Sequence, residues 1–140
     1  LQFLVRGEAE HVHACEINPE SIFALKKGLE RNGVSEKCTI YPGDNRQTMK
    51  GLQGIADRVI LGLIPSSMNA WGLAIRCLKK SGGMLHIHMN VHENEIEEWV
   101  EKTTEWFATA SGKTATASHV ETVKKYSPHI MHVVLDLRID

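Results

Sequence analysis

At 140 residues the chain has the usual length of one domain, and its 42% hydrophobic and 24% charged composition is that of an ordinary globular protein. A net charge of −1 carries no electrostatic signature of nucleic-acid binding, and no apolar run nears the ~20 residues of a membrane span. The opening LQFLVRGEAE has no basic n-region and no cleavage site, so it is not a signal peptide.

Residues 11–17, HVHACEI, alternate and end near an acidic side chain, which predicts a buried strand. A helix should start at Asn18-Pro19-Glu20: Asn18 can cap, Pro19 suits the first helical position, and Glu20 favours the positive end of the dipole. Ile22, Phe23, Leu25 and Leu29 follow at helical spacing until Asn32-Gly33. A second strand over 38–41 is closed by Pro42-Gly43-Asp44-Asn45, and 46–53 form a short connecting helix or loop. Residues 58–64 are nearly all apolar, the pattern of a central parallel strand buried on both faces.

Ser66 or Ser67 is expected to cap the next helix, with Trp71, Ala74, Ile75 and Leu78 inward, Lys79 and Lys80 at its end and Gly82-Gly83 as its stop. A fourth strand covers 84–89. A helix over 93–110 places Ile96, Val100, Thr103, Thr104 and Phe107 on one face. The polar SGKTATAS leads into a strand ending near Tyr126, Pro128 marks a turn, and 130–139 make the last strand. Cys15, Cys38 and Cys77, odd in number and without CxxC spacing, fit buried thiols in a reducing, cytoplasmic setting better than a disulfide framework or a zinc site.

The order β-α-β-(α)-β-α-β-α-β-β predicts an α/β, doubly wound sheet that ends in an antiparallel hairpin, in a single domain over 1–140. Such folds open with a strand and a glycine-rich turn that holds a ligand's charged end. The sequence starts instead on what reads as the helix after that turn. An N-terminally truncated domain is therefore expected, with an exposed apolar slot between the Glu16 and Ile64 strands.

In open α/β sheets ligands bind at the carboxyl ends of strands. Glu16, at such an end, can accept both hydroxyls of a ribose; otherwise it only adds charge at a helix start. Asp44-Asn45-Arg46 follows the next strand, where a short polar side chain can meet an adenine edge, although Gly-Asp-Asn is also ordinary turn composition. Gly62 lets a ligand approach the backbone and Pro65 stiffens the wall, while Ser66 and Ser67 suit caps rather than nucleophiles. His86 and His88 share one strand face, with His92 beyond, but no ligand set completes a metal site and hydrogen-bonded histidines are expected. His129 and His132 flank the final turn after Lys124-Lys125-Tyr126-Ser127-Pro128, a cluster that either touches a phosphate or base or is a solvated turn. Trp71, Trp99 and Trp106 sit at helical positions and fit core packing.

The segments HACEINPESIFALKKGLERNGV, YPGDNR, ADRVILGLIPSS, GGMLHIHMNV and VKKYSPHIMHVVLDL, in that order, resemble the catalytic domain of the tRNA wybutosine-synthesising protein 2 family. These are S-adenosylmethionine-dependent 3-amino-3-carboxypropyl transferases related to the tRNA guanine-N1 methyltransferases. The resemblance implies a class I methyltransferase-like fold, S-adenosyl-L-methionine as co-substrate, and phenylalanine tRNA as partner, modified on the tricyclic guanosine-derived base beside the anticodon. It implies that Glu16 holds the ribose, Ile17 packs on the adenine, and Asp44 with Asn45 reads the adenine edge. Leu61 and Gly62 would border the sulfonium, with Pro65, Arg46 and His129 on the tRNA side. Methyltransferase relatives tend to carry Asn-Leu-Pro or Asp/Asn-Pro-Pro where this chain has Gly62-Leu63-Ile64-Pro65. The lack of a polar side chain there suits aminocarboxypropyl rather than methyl transfer. A guanine-N1 methyltransferase and an inactive tRNA- or protein-binding fragment are the alternatives, and the closing hairpin speaks against a NAD-binding domain. No residue need be a covalent nucleophile, the general base is left open, no metal is expected, and the chain alone is expected to bind the co-substrate weakly or not at all.

Overall fold

Two units make up the computed structural model, which describes residues 1–140: Leu1–Gly51 and Leu52–Asp140. In the first, α1 (Gln2–Val5) precedes β1 (Val12–Glu16), α2 (Pro19–Arg31), β2 (Cys38–Pro42) and α3 (Asn45–Thr48). The start of α2 is set locally, because the Asn18 side chain accepts the Glu20 N–H at 2.9 Å and Pro19 has no N–H to leave unpaired. Its end falls at Asn32, followed by Gly33 at φ 63°, a left-handed value that glycine adopts without strain. β1 and β2 pair in parallel from Val12 opposite Cys38 to Glu16 opposite Pro42. Leu4, Leu29 and Val34 form the buried centre, with Val12, Leu25, Cys38 and Ile40 packed around them.

The second unit contains β3 (Arg58–Leu61), α4 (Trp71–Cys77), β4 (Gly83–His92), α5 (Ile96–Ser111), β5 (Ala115–Ser127) and β6 (Ile130–Ile139). Its four strands run in the order β3-β4-β6-β5, with β3 and β4 parallel and β6 antiparallel to both neighbours. The closing pair is antiparallel, as its two adjacent strands in the sequence required, and its last strand slots inside the sheet between β4 and β5. Side-chain alternation gives this sheet two unlike faces. Leu85, Ile87, Met89 and Val91 of β4 and Val133, Leu135 and Leu137 of β6 are buried. Phe107 of α5 is also buried, its ring 5.0 Å from Trp71 and 4.9 Å from Trp106. The alternate positions of β4 from His86 onward are polar (His86, His88, Asn90 and His92), and on β6 they mix His132 and Asp136, opposite Asn90 and His86, with the apolar Ile130 and Val134.

The strands lie in two sheets and no ladder joins β1 to β3, in keeping with the strand expected to be missing between them. Several other expectations need correcting. β3 stops at Leu61 and is an edge strand of its sheet, so Ile60 is 50% exposed instead of buried on both faces. The chain leaves the ladder after Leu61, and Ser66 rejoins only as an isolated bridge to Met89. Neither serine caps α4. A 3-10 turn, Met68–Ala70, intervenes, and the Ser67 hydroxyl instead accepts the buried Trp71 indole N–H at 3.2 Å. β4 reaches His92 because β6 pairs along its whole length, and the polar ATAS run belongs to β5, an exposed edge strand. The three cysteines are free, and no helix is long and apolar enough to cross a membrane.

Candidate functional site

Strand ends in each unit carry the residues singled out from the sequence. In the first unit, Gly43 N–H donates to the Glu16 carbonyl at 2.9 Å, which ties the turn after β2 to the end of β1. Glu16, Asp44 and Asn45 therefore lie along one edge, at the carboxyl ends of two parallel strands. One Glu16 carboxylate oxygen, Oε1, accepts the Asn18 N–H at 2.8 Å. Ile17 beside it is 67% exposed, an apolar surface next to a carboxylate. That combination fits a ring with hydroxyls attached.

Asp44 caps α3, its Oδ1 accepting the Arg46 N–H at 2.8 Å. The Arg46 guanidinium adds Nε at 3.0 Å and Nη2 at 2.5 Å, and these bonds hold the Asp44 carboxyl down at about 2. Asp44 is therefore an anion at any physiological pH. Both side chains are solvated, so the pair orders the turn more than it stabilises the fold.

In the second unit, Leu61 is buried while Gly62, Leu63 and Pro65 are exposed on the bend that follows it. The Ile64–Pro65 peptide bond is cis, and the Pro65 carbonyl accepts Asn90 N–H at 3.0 Å. The bend is thereby fastened beside the carboxyl end of β4. His129 occupies the β5–β6 turn at φ 64°, its Nδ1 2.7 Å from the Glu93 carboxylate and its ring stacked on His92.

The polar face of this sheet holds groups whose roles the sequence left open. Arg58 donates to His86 Nε2 at 2.9 Å, so His86 carries its hydrogen on Nδ1 and donates it to Asp136 at 2.6 Å. His88 Nδ1 and His132 Nε2 are 3.0 Å apart and share one hydrogen. Both amide atoms of Asn90 and Nδ1 of His132 are closed to solvent without a hydrogen-bond partner. Sequence reasoning passed over Asn90 entirely; only its even spacing from His86 and His88 signalled that it shares their face. No group of three or more His, Cys, Asp or Glu side chains is placed to hold a metal ion.

Burial, then the neighbouring His132 and His86, lower the His88 pKa, against the opposing pull of Asp136. The unfolded chain takes up a proton near pH 6.5 that the folded His88 refuses, so the stability linked to it is complete above that pH and is lost as pH falls below it. A His88→Gln variant is expected to show a flatter fall in thermal midpoint between pH 7.5 and 5.5, followed by circular dichroism. Parallel curves for the two proteins would contradict this.

Parallel strands feeding an antiparallel closing hairpin, with acidic side chains at strand ends, define a class I methyltransferase-like fold. The chain belongs to the TRM5/TYW2 methyltransferase domain family, whose model matches residues 1–120. It is 48% identical over 99% of its length to a tRNA wybutosine-synthesizing protein 2/3/4 of Arabidopsis thaliana, of which it covers 14%. It is 43% identical over 98% of its length to a tRNA wybutosine-synthesizing protein 2 homolog of Danio rerio, of which it covers 42%. The chain thus spans less than half of either relative.

Among solved structures it is similar to P. horikoshii TYW2 in complex with MeSAdo, with TM-score 0.87 and 28% identity over 98% of this chain and 50% of that one. M. jannaschii TYW2 in complex with AdoMet matches with TM-score 0.84 and 27% identity over 94% of this chain and 58% of that one. Trm5b of Pyrococcus abyssi matches with TM-score 0.81 and 25% identity, covering 94% of this chain and 38% of that one.

Proposed function

We propose that residues 1–140 act as one catalytic domain that transfers the 3-amino-3-carboxypropyl group of S-adenosyl-L-methionine to tRNA in wybutosine synthesis. The supporting observation is the match to wybutosine-synthesizing relatives at 48% and 43% identity over nearly the whole chain. The tRNA is phenylalanine tRNA, the acceptor is the tricyclic guanosine-derived base beside its anticodon, and the setting is the cytoplasm. At the first unit's edge, Glu16 accepts the ribose hydroxyls, Ile17 lies on the adenine, and Asp44 and Asn45 meet the adenine edge. In the second unit Leu61 and Gly62 are assigned to the co-substrate. Pro65 and His129, with Arg46 of the first unit, are assigned to the tRNA.

A base carbon attacks the aminocarboxypropyl carbon next to sulfur, the C–S pair leaves with 5′-methylthioadenosine, and the displaced base proton passes to solvent. The protein's part is orientation, which can supply up to ~7–11 kcal/mol of such a barrier. The bend at residues 62–65 offers main chain and apolar side chains, so nothing there competes as a nucleophile.

Trm5b-like structure keeps guanine-N1 methyl transfer as the second reading. Mass analysis of nucleosides from tRNA treated with the complete protein that carries this sequence separates the two. An aminocarboxypropyl adduct with released methylthioadenosine is expected; a methyl adduct with S-adenosylhomocysteine would replace this reading by the second.

A further inference from the structure

One level of the second unit's sheet lines up three side chains across three strands. Asn90 of β4 stands directly opposite His132 of β6, and His132 stands opposite Lys124 of β5. Register shifts on β5 flank this level, after Thr122 and after Lys125, but Lys124 keeps His132 as its ladder partner. Opposed partners point to the same face, so the three form a row on the polar side of the sheet. Two strand spacings separate its ends, about 10 Å. The row lies near the carboxyl end of β4, where Pro65 is bonded to Asn90 N–H.

Its chemistry is unusual at both ends. The Asn90 amide presents an NH2 with two donor hydrogens and an oxygen acceptor, both atoms occluded and without partners, and His132 adds an unpaired Nδ1. Leaving such groups unbonded is costly, and the cost is expected where a ligand supplies the bonds. The remaining His132 nitrogen is fixed by His88 at 3.0 Å, which holds the imidazole in place. At the other end Lys124 is exposed, on a strand whose neighbouring Tyr126 is 56% exposed.

We infer that the Asn90–His132–Lys124 row is a nucleotide-binding strip for the tRNA substrate, with the Asn90 amide and His132 Nδ1 reading a base edge and Lys124 meeting a phosphate. An amide pairs well with a base edge that shows a donor beside an acceptor. A single lysine at a fixed distance matches one backbone phosphate. The amide is closed to solvent, so reading a base edge requires local opening around it. The bend at residues 62–67 is tied to β4 beside it by the Asn90–Pro65 hydrogen bond and the Ser66–Met89 bridge. The strip rests on the tRNA reading above and deepens it by naming residues that the bend's apolar side chains cannot replace.

The test uses the complete protein carrying this sequence, with Asn90→Leu and Lys124→Ala as variants. tRNA affinity is read by fluorescence anisotropy over a salt series, and turnover by release of methylthioadenosine. Asn90→Leu is expected to lower kcat/KM for tRNA about 10- to 100-fold while the thermal midpoint stays level or rises, because a buried unbonded amide is removed. Lys124→Ala, on an exposed strand that tolerates truncation, should weaken tRNA binding several-fold and reduce the salt slope by about one. Co-substrate affinity should not change in either variant. Wild-type kcat/KM in Asn90→Leu together with a wild-type salt slope in Lys124→Ala would overturn the strip. If Asn90→Leu fails to fold, the Lys124→Ala slope decides alone. A wild-type protein that binds tRNA but forms no aminocarboxypropyl adduct removes the reaction assigned above, while the anisotropy still tests the strip.

Discussion

Gly82→Ala is expected to destabilise the second unit by about 2–5 kcal/mol. Gly82 has φ +100°, and a Cβ built on it would lie 2.1 Å from the Ile139 carbonyl oxygen and 3.2 Å from the Asp140 Cα. Two costs combine. A side chain in a left-handed backbone costs roughly 1–2 kcal/mol, and forcing atoms into a filled space typically costs another 1–3 kcal/mol. The obstacle is backbone of the last strand rather than a mobile side-chain tip, so relief would require β6 to move away from β4, where Gly83 pairs with Ile139. Against a typical domain stability of roughly 5–15 kcal/mol the loss is large. Gly72 is the matched control: it lies in α4 with nothing within 4 Å of an added Cβ, and Gly72→Ala should be neutral or gain up to about 1 kcal/mol. Urea titrations that find the two variants equally stable would refute the steric account.

The contrast between these glycines also shows what a sequence can and cannot carry. Gly82-Gly83 read as a helix stop, but α4 already ends at Cys77 and the glycines form the tight turn into β4, where Gly82 N–H donates to the Lys79 carbonyl. The close approach of Ile139, 57 positions later, was not legible, because it arises only when the hairpin folds back against β4. The same divide runs through the whole fold. The start of α2 and the reversed final strand follow from neighbouring residues or element order, and both were read correctly. The edge position of β3 depends on which strands pair with it, so an apolar run of four to seven residues looked central when it was not. Ser67 looked like a cap because serine before a helix usually is one, yet the Trp71 indole four residues on took its hydroxyl. Glu16 stands out as a candidate because it ends β1, and Asp44-Asn45 because they follow β2 at the start of α3. Asn90 was hidden within a run of alternating residues, and its significance lies in the absence of partners, which only three-dimensional packing defines.

The partition of roles between the units bears on how the proposed reaction is controlled. The first unit has a small centre built from Leu4, Leu29 and Val34, while the second buries two full strand faces under α4 and α5. Local opening is therefore expected at lower free energy in the first unit than in the second. Ligand-responsive ordering would then be concentrated at the edge carrying Glu16 and Asp44, with the strip of the second unit presented by a more rigid scaffold.

Loss of charge at Glu16 should have the largest effect on co-substrate affinity. In the complete protein, Glu16→Gln is expected to weaken S-adenosylmethionine binding roughly 10- to 100-fold by titration calorimetry. Hydrogen bonds to an ionised carboxylate contribute about 1.5–3 kcal/mol, and an amide replaces one of the two charged acceptors with a donor that a ribose diol meets poorly. Stability should hardly change, because Glu16 uses a single oxygen in the fold, to accept Asn18 N–H at 2.8 Å, and glutamine keeps an oxygen for that bond. Glu20→Gln makes the same change of charge four residues away, in the first turn of α2, and should leave affinity within about twofold of wild type. Equal losses in the two variants would mean that only the general negative potential matters at this edge. Unchanged affinity in Glu16→Gln would remove the ribose contact, and with it the orientation of the co-substrate on which the transfer chemistry depends.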